Sequence, residues 1–570
     1  MKAENHSQLD HIEATSSAVD DLQKPDLTLR HGVQEKNVES LALADAVAKD
    51  NPDYRSRSQV KLYCMMALCV LNGVMNGYDG SVMSAINAME PFQDRFKIGK
   101  TGTLNGATFS TLPSPTHAHA ASGLIRCIGI YTVGSIIGSL GCGYIMDRWG
   151  RRAGMFIGAA NIILGSVLQA TSSHLAQFIV GRFIVGFGNP MCATTAAVYL
   201  VELSYPTWRG LAGGLYNVLG WNIGANIASW SCYATNYLEN DWCWRIPYII
   251  QLTFPTVVFS LVWFLLPESP RWLWSVGQTE RAKGILIQYH GNMNPDSALV
   301  KLEVEEMQDA LEHEQEIANK NWNYKVLVNT RANRHRMWLL MLVAVFANFI
   351  GGSVISYYLP VMVEGIGITD SRRQLLLNGI NTILSFIAGL FGSFCVDKFG
   401  RRPLFLWGTF LTGLVYIPIN VLAARAEGYE EGQIPRAQSY AFIAMVFTYG
   451  IFWGFCWTPL QALYPAEILN NEIRAKGMGV KGFLTGVSSF INTFGTSVSL
   501  KEIGWKTYTI FLVLHFIHNG FMWLSCVETK GRTLEELDEI FNDPHPVKRS
   551  KQKTAIIANQ GVGIRIKDDA

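Results

Sequence analysis

Asp147-Arg148-Trp149-Gly150-Arg151-Arg152 returns later in the chain as Asp397-Lys398-Phe399-Gly400-Arg401-Arg402. Each copy is a short basic stretch set between two long apolar runs. Glycine permits a tight turn there, and neighbouring arginines place positive charge on one side of a hydrophobic layer. Other parts of the chain repeat as well. Glu202 and Arg209 return with the same spacing as Glu467 and Arg474, and PESPRWL around Glu268 returns as VETKGRTL around Glu528. Duplication of this kind marks a transporter built from two related helix bundles, with its site between them near mid-membrane.

Working outward, a membrane span needs about 20 mostly apolar residues. Such runs start near Leu62, Ile130, Ala153, Leu175, Leu211 and Ile246, and again near Met337, Leu375, Pro403, Tyr440, Gly477 and Thr507. Six spans, a polar gap and six more spans give an all-α membrane protein of twelve helices. The gap from Glu268 to Arg336 contains KLEVEEMQDALEHEQEIA at Lys301–Ala318, which is acidic and Pro-free and predicts helices. The basic loops, including WRG at Trp208–Gly210 and IRAKG at Ile473–Gly477, are cytosolic by the positive-inside rule. Both termini and the gap then share the cytosolic side. The resulting organisation is a cytosolic tail over 1–60, a first bundle over 61–267, cytosolic linker helices over 268–336, a second bundle over 337–528, and a cytosolic tail over 529–570.

Composition agrees with this class. The 570 residues are 49% hydrophobic and only 16% charged, with Gly 52, Trp 16 and Phe 29, and mean hydropathy is +0.16. A soluble chain carries about 25% charged residues. No basic block interleaved with aromatics points to nucleic acid, and no nucleotide loop or catalytic triad points to an enzyme. Ten cysteines form no CxxC pair, so they read as small buried hydrophobes. Cys232 and Cys243 flank a loop placed outside the cell, where a disulfide is chemically permitted. No metal or cofactor is expected. His117 and His119 offer only two ligands, and stable sites use three or four. They lie in TLPSPTHAHAASGLIRCIG at 111–129, which breaks the apolar pattern and reads as an insertion into span two.

The motifs carry chemistry. Arg151, Arg152, Arg401 and Arg402 can grip carboxylates bidentately, and Glu202, Glu268, Glu467 and Glu528 stand at helix ends nearby. With Asp147, Asp397, Arg209 and Arg474 they form a candidate cytosolic charge network that latches the halves together when the site faces out. The plainer reading is that these arginines only set topology. Asp79 lies inside span one, in NGYDGSVMSAIN, and Arg182 inside span four, in GRFIVGFG. A carboxylate within a span costs about 2.5–3.5 kcal/mol on insertion scales and is a functional hypothesis by default. The pair reads as a proton switch, against the alternative of a purely structural ion pair.

Together GYDGS, DRWGRR, GRFIVGFG, PESPRWL, DKFGRR, WTPLQALYPAEI and VETKGRTLEEL resemble the sugar porter family of the major facilitator superfamily, over roughly residues 60 to 543. The resemblance implies the two-bundle fold with cytosolic helices between the halves, and proton coupling through Asp79. It also implies sugar ligands in spans five, seven, ten and eleven. The matching positions are Asn217 or Asn222, Asn348, the outer-gate aromatics Tyr357 and Tyr358, Trp457 with Gln461, and Asn492. For each, ordinary helix–helix hydrogen bonding competes. The chain departs from the hexose pattern in two places. Gly352 and Ser353 replace an asparagine, and Ala462 replaces a tryptophan. With SYYLP and WTPLQALYPAEI, this resembles the fungal lactose-permease branch and implies a larger sugar such as a disaccharide. The expected protein is a monomeric sugar:proton symporter of the plasma membrane, taking up sugar by alternating access. The alternatives are a carrier of another small molecule, such as a secondary metabolite, or a non-transporting sugar sensor.

Overall fold

The computed structural model describes residues 55–96, 118–206, 209–318, 325–352, 370–429, 434–530 and 534–552, with scattered positions between. The described residues are helical almost throughout. The first bundle holds Arg57–Ile86 (span one), Ala118–Ala170 (spans two and three), Leu175–Leu203 (four), Arg209–Thr235 (five) and Trp242–Leu265 (six). The second begins at Arg331–Met341, which passes through a π-helical turn at Leu342–Phe346 to Phe349 (span seven). Ser371–Phe399 (eight), Arg401–Glu427 (nine) and Arg436–Phe452 follow, the last continuing through a second π turn to Ile468 (ten). Asn471–Glu502 (eleven) and Lys506–Ser525 (twelve) complete it. Leu534–Asn542 and Pro546–Arg549 form the tail helices, before a short antiparallel pair, Ala555–Ile557 with Arg565–Lys567.

Seven of these helices are long and apolar enough to cross a membrane, and the 41-residue one, Ile130–Ala170, folds into two spans at Gly150. Spans five, seven, eleven and twelve complete the twelve. Span five carries Asn217, Asn222 and Asn226, and span eleven carries Lys481, Thr485, Ser488 and Asn492. Polar residues at these positions lower the average hydropathy of a helix without changing its fold, because bundle interiors accept polar contacts that lipid does not.

Close helix approach relies on small residues. A Cβ at Gly77 would sit 2.0 Å from the Trp221 carbonyl oxygen, and one at Gly224 would sit 2.1 Å from that of Val74. Spans one and five therefore meet backbone to backbone, which fixes the height and rotation of span one just below Asp79. Between the halves, span eight joins span five and the turn that follows span one. Asn226 Nδ2 donates to Thr382 O at 3.3 Å, Thr382 Oγ1 donates to Asn226 Oδ1 at 3.1 Å, and Ser371 Oγ donates to Ala88 O at 2.8 Å.

The polar gap folds into helices as its composition predicts. Residues 283–314 form with residues 55–59 a compact unit of their own. In it, Gln59 Nε2 donates to Tyr289 O at 2.9 Å, and buried His290 Nδ1 meets Glu303 Oε2 at 2.6 Å. Residues 111–117 lie outside the described residues. From Ala118 the backbone is helical and runs into span two. Cys232 and Cys243 are both buried free thiols, packed among the core residues of the first bundle.

Candidate functional site: a buried ion pair and two arginine–glutamate networks

Span one brings Asp79, and span four Arg182, into the middle of the first bundle. Asp79 is 1% exposed and Arg182 is 7% exposed. Arg182 Nη1 donates to Asp79 Oδ1 at 3.1 Å, and Gln251 Nε2 of span six donates to the same oxygen at 3.1 Å. Asp79 Oδ2 is buried and has no hydrogen-bond partner. The two carboxylate oxygens are thus unequal: one is held by a cation and an amide, while the other is open to a proton. The guanidinium also lies over the Tyr131 ring, 4.6 Å from its centroid, and Tyr131 Oη accepts from Asn189 Nδ2 at 3.1 Å. A ring face holds a desolvated cation by about 2 kcal/mol, so Arg182 keeps a partner when Asp79 is neutral.

The repeated glycine–arginine motif builds a second kind of site, twice. Gly150 has φ 87° and Gly400 has φ 95°, a conformation that only glycine adopts at little cost. At each, the chain turns and a new helix starts with its N–H groups unpaired. Glu268 caps one start: its Oε1 accepts from the backbone N–H of Arg151 at 2.9 Å and of Ser269 at 3.0 Å, with Arg152 N at 3.4 Å. Glu528 caps the other, accepting from the N–H of Arg401 at 2.9 Å, Arg402 at 3.1 Å and Thr529 at 3.0 Å. Burial pushes the Glu268 carboxyl above its ordinary value, and the backbone donors of Ser269, Arg151 and Arg152 pull it back in part.

The arginine side chains then reach a second glutamate. Arg151 Nε and Nη2 grip Glu202 at 3.1 and 3.0 Å, and Ser269 Oγ donates to Glu202 Oε2 at 2.5 Å. Arg401 Nε and Nη2 grip Glu467 at 3.1 and 2.7 Å, and Thr529 Oγ1 donates to Glu467 Oε2 at 2.6 Å. Arg152 Nη2 donates to Trp263 O at 2.5 Å, and Arg402 Nη2 donates to Trp523 O at 2.6 Å.

This corrects the expected latch. These pairs close within their own half, tying three helix ends of one bundle together rather than bridging the two. The physical reason is local: the glycine turn brings each arginine within reach of its own bundle's glutamates. Asp147 is largely exposed, with Oδ1 3.9 Å from Arg151 Nη1. Among the described residues Arg474 joins no glutamate; its Nε and Nη2 donate to Leu469 O at 3.2 and 3.1 Å. The side chains of Arg209 and Asp397 lie outside the described residues.

Among the described residues the sugar-ligand candidates do not form one cluster. Trp457 is fully buried in the core of the second bundle, edge-on to Phe405 and stacked on Trp453 at 5.4 Å. It is therefore a packing residue. Asn222 Nδ2 donates to Val218 O of its own helix at 2.7 Å. Asn348 and span eleven do meet, with Asn348 Nδ2 donating to Ser488 Oγ at 2.9 Å. Asn492 Oδ1 accepts from Thr496 Oγ1 at 3.2 Å, and the Gln461 carbonyl accepts from Lys481 Nζ at 2.9 Å. Tyr357, Tyr358 and the side chain of Asn217 lie outside the described residues. Among the described residues no group of three or more His, Cys, Asp or Glu is arranged to hold a metal.

Sequence reasoning missed Gln251, Ser269, Thr529 and Lys481. Gln251 was visible as a lone amide in an apolar span. Ser269 and Thr529 each follow a repeat-related glutamate.

The family model described as "Sugar (and other) transporter" matches residues 65–541. The chain belongs to that family. It is a multi-pass membrane sugar porter of the major facilitator type rather than an enzyme. Among this transporter's relatives is the MFS-type transporter criB of Aspergillus cristatus, 27% identical over 84% of this chain and 93% of the relative. The high-affinity glucose transporter of Kluyveromyces lactis is 27% identical over 86% of both chains. Sugar transporter STL1 of Saccharomyces cerevisiae is 27% identical over 82% of this chain and 78% of the relative. The transporter shares its fold with the proton:xylose symporter XylE bound to 6-bromo-6-deoxy-D-glucose, at TM-score 0.67 and 22% identity over 85% of this chain and 100% of that one. A partially occluded inward-open form of XylE from E. coli matches at TM-score 0.65 and 20% identity, over 83% and 100%.

Proposed function

We propose that this transporter carries a sugar together with a proton by alternating access, with Asp79 as the proton carrier. The observation that bears the reading is the unequal environment of its carboxylate. Ionised, Asp79 is locked to Arg182 and Gln251, and separating a buried pair of this kind costs about 3–5 kcal/mol. A proton arriving at Oδ2 cancels the charge and weakens both bonds at Oδ1. Arg182 then rests on Tyr131, and spans one, four and six are free to shift. The two cytosolic networks keep each bundle rigid, so that the halves rock as units around the site.

The sugar class is a disaccharide, supported by Ala462 in place of the hexose tryptophan and by the altered span-seven ligands. Asn348 with Ser488 and Asn492 is the best-supported part of its site. The location is the plasma membrane with both termini cytosolic, the working unit is a monomer, and residues 111–129 are an insertion. A second reading, carriage of another small molecule, is favoured by relatives named only as MFS-type transporters, criB and oryC.

The test is uptake of labelled mono- and disaccharides into transporter-null cells, with and without a protonophore. Concentrative, protonophore-sensitive uptake of a disaccharide is expected. Transport of no sugar alongside export of an acidic or aromatic metabolite sinks the reading.

A further inference from the structure

Beneath spans seven and twelve the tail closes a cavity of about 610 Å³. The tail is anchored there by apolar burial: Leu537, Ile540 and Phe541 of Leu534–Asn542 are each under 5% exposed. Arg336 adds an ion pair with Asp538 and lies over the Phe541 ring, 4.7 Å from its centroid. The short helix Pro546–Arg549 then folds back to complete the wall.

The lining has two characters. Arg331, Lys548 and Lys551 supply three cations, while Leu524, Phe541 and Val547 supply apolar surface. One acid stands on the wall: Asp543 accepts from His545 N at 2.7 Å and keeps its charge, so three cations face one carboxylate, while Asp538 is taken by Arg336. Arg331 donates to Pro544 O at 3.3 Å, which leaves its charge uncompensated, and no carboxylate pairs with Lys548 or Lys551 among the described residues. Leu524 is 64% exposed and its neighbour Trp523 is 62% exposed. They stand at the last turn of span twelve, where an exposed indole marks the membrane interface. The cavity therefore opens onto lipid at headgroup depth.

We propose that this cavity binds the phosphate-bearing headgroup of an anionic phospholipid, with its phosphate on Arg331, Lys548 and Lys551 and its glycerol end against Leu524 and Val547. Basic pockets beside helix ends on the cytoplasmic face attract such headgroups. The proposal rests on this end of the bundle facing the cytosolic leaflet, and is independent of the solute carried. A bound headgroup pins the tail to the inner ends of spans seven and twelve, so lipid composition sets the stability of that end of the second bundle. The apolar wall favours a lipid over a free phosphate compound.

The test is thermal unfolding of the purified full-length transporter in detergent with dioctanoyl phosphatidylserine, dioctanoyl phosphatidylcholine or inorganic phosphate. Phosphatidylserine should raise the melting temperature and phosphatidylcholine should not. The double variant Lys548→Ala/Lys551→Ala should weaken the apparent affinity at least about tenfold. Both lysines are exposed, so the variant should match the parent in melting temperature without lipid. If it does not, counting phosphatidylserine retained on the intact protein by native mass spectrometry replaces the thermal readout, with one fewer bound lipid expected. An equal response to phosphatidylcholine, or an unchanged response of the variant, overturns the proposal. Stabilisation by inorganic phosphate with no additional effect of lipid overturns the lipid assignment.

Discussion

The two halves agree at the glycine-turn ends of their helices and differ deeper in the bundles. Gly150 and Gly400 turn the chain with nearly the same φ, Glu268 and Glu528 cap the helix that follows, and Arg151 and Arg401 clamp Glu202 and Glu467. Even the hydroxyl is repeated, from Ser269 to Thr529. Deeper in, the first bundle holds the Asp79–Arg182 pair. The second holds a stack of rings: Tyr449 on Trp453, Trp453 on Trp457, Trp457 near His518, and His518 on Phe346 at 5.0 Å. His518 is buried there with both ring nitrogens unpartnered, while His515 Nδ1 meets Phe511 O at 2.7 Å and only its Nε2 is unpartnered; among the described residues no carboxylate pairs with either. What is duplicated is architecture, which both bundles need to stay rigid. What is not duplicated among the described residues is the charge pair, which fits the single switch proposed above.

The largest effect should come from the unrepeated pair. Asp79→Asn should abolish uphill accumulation while leaving sugar exchange across proteoliposomes intact. Proton-driven uptake persisting in that variant would remove the switch and make the ion pair structural. Next are the glycines. Gly150→Ala places a Cβ 2.5 Å from Glu268 Oε2, and Gly400→Ala places one 2.8 Å from Glu528 Oε2, in a backbone region that costs a non-glycine about 1–3 kcal/mol. Both should lower the melting temperature by similar amounts; an effect in only one half would break the equivalence of the networks.

Glu268 sharpens the comparison through pH. Its carboxyl is raised in the folded protein, so the folded state binds the proton more tightly than the unfolded chain. Its contribution to stability therefore falls as pH rises from the ordinary carboxylate value through the raised one. Glu268→Gln should flatten that part of the melting temperature–pH profile, and an unchanged slope would show that another group titrates. The smallest effect belongs to the hydroxyls. Ser269→Ala and Thr529→Val each remove one hydrogen bond to a carboxylate, and each should cost about 1.5–3 kcal/mol or less, read as paired shifts in melting temperature.

Much of this was legible in the residues. Apolar run length set the spans, and the repeated DRWGRR and DKFGRR stretches set the halves, because lipid forces every backbone group into a helix and leaves few alternatives. Asp79 and Arg182 stood out as charges where charge is costly. Trp457 shows the opposite case: an aromatic in a transport motif reads as a ligand, yet it packs in the core, since a helix in a bundle can turn a ring toward solute or toward a neighbour.

By itself the sequence determined that this chain crosses the membrane as two related bundles, and that one bundle carries a buried acid and a buried base. Hydropathy and charge are local quantities, readable one residue at a time. Only the tertiary structure decided which glutamate each arginine grips, that the networks close inside each half, and that Gln251 leaves Asp79 Oδ2 open. Those outcomes depend on helix rotation and approach, which are set by packing between segments far apart in the chain.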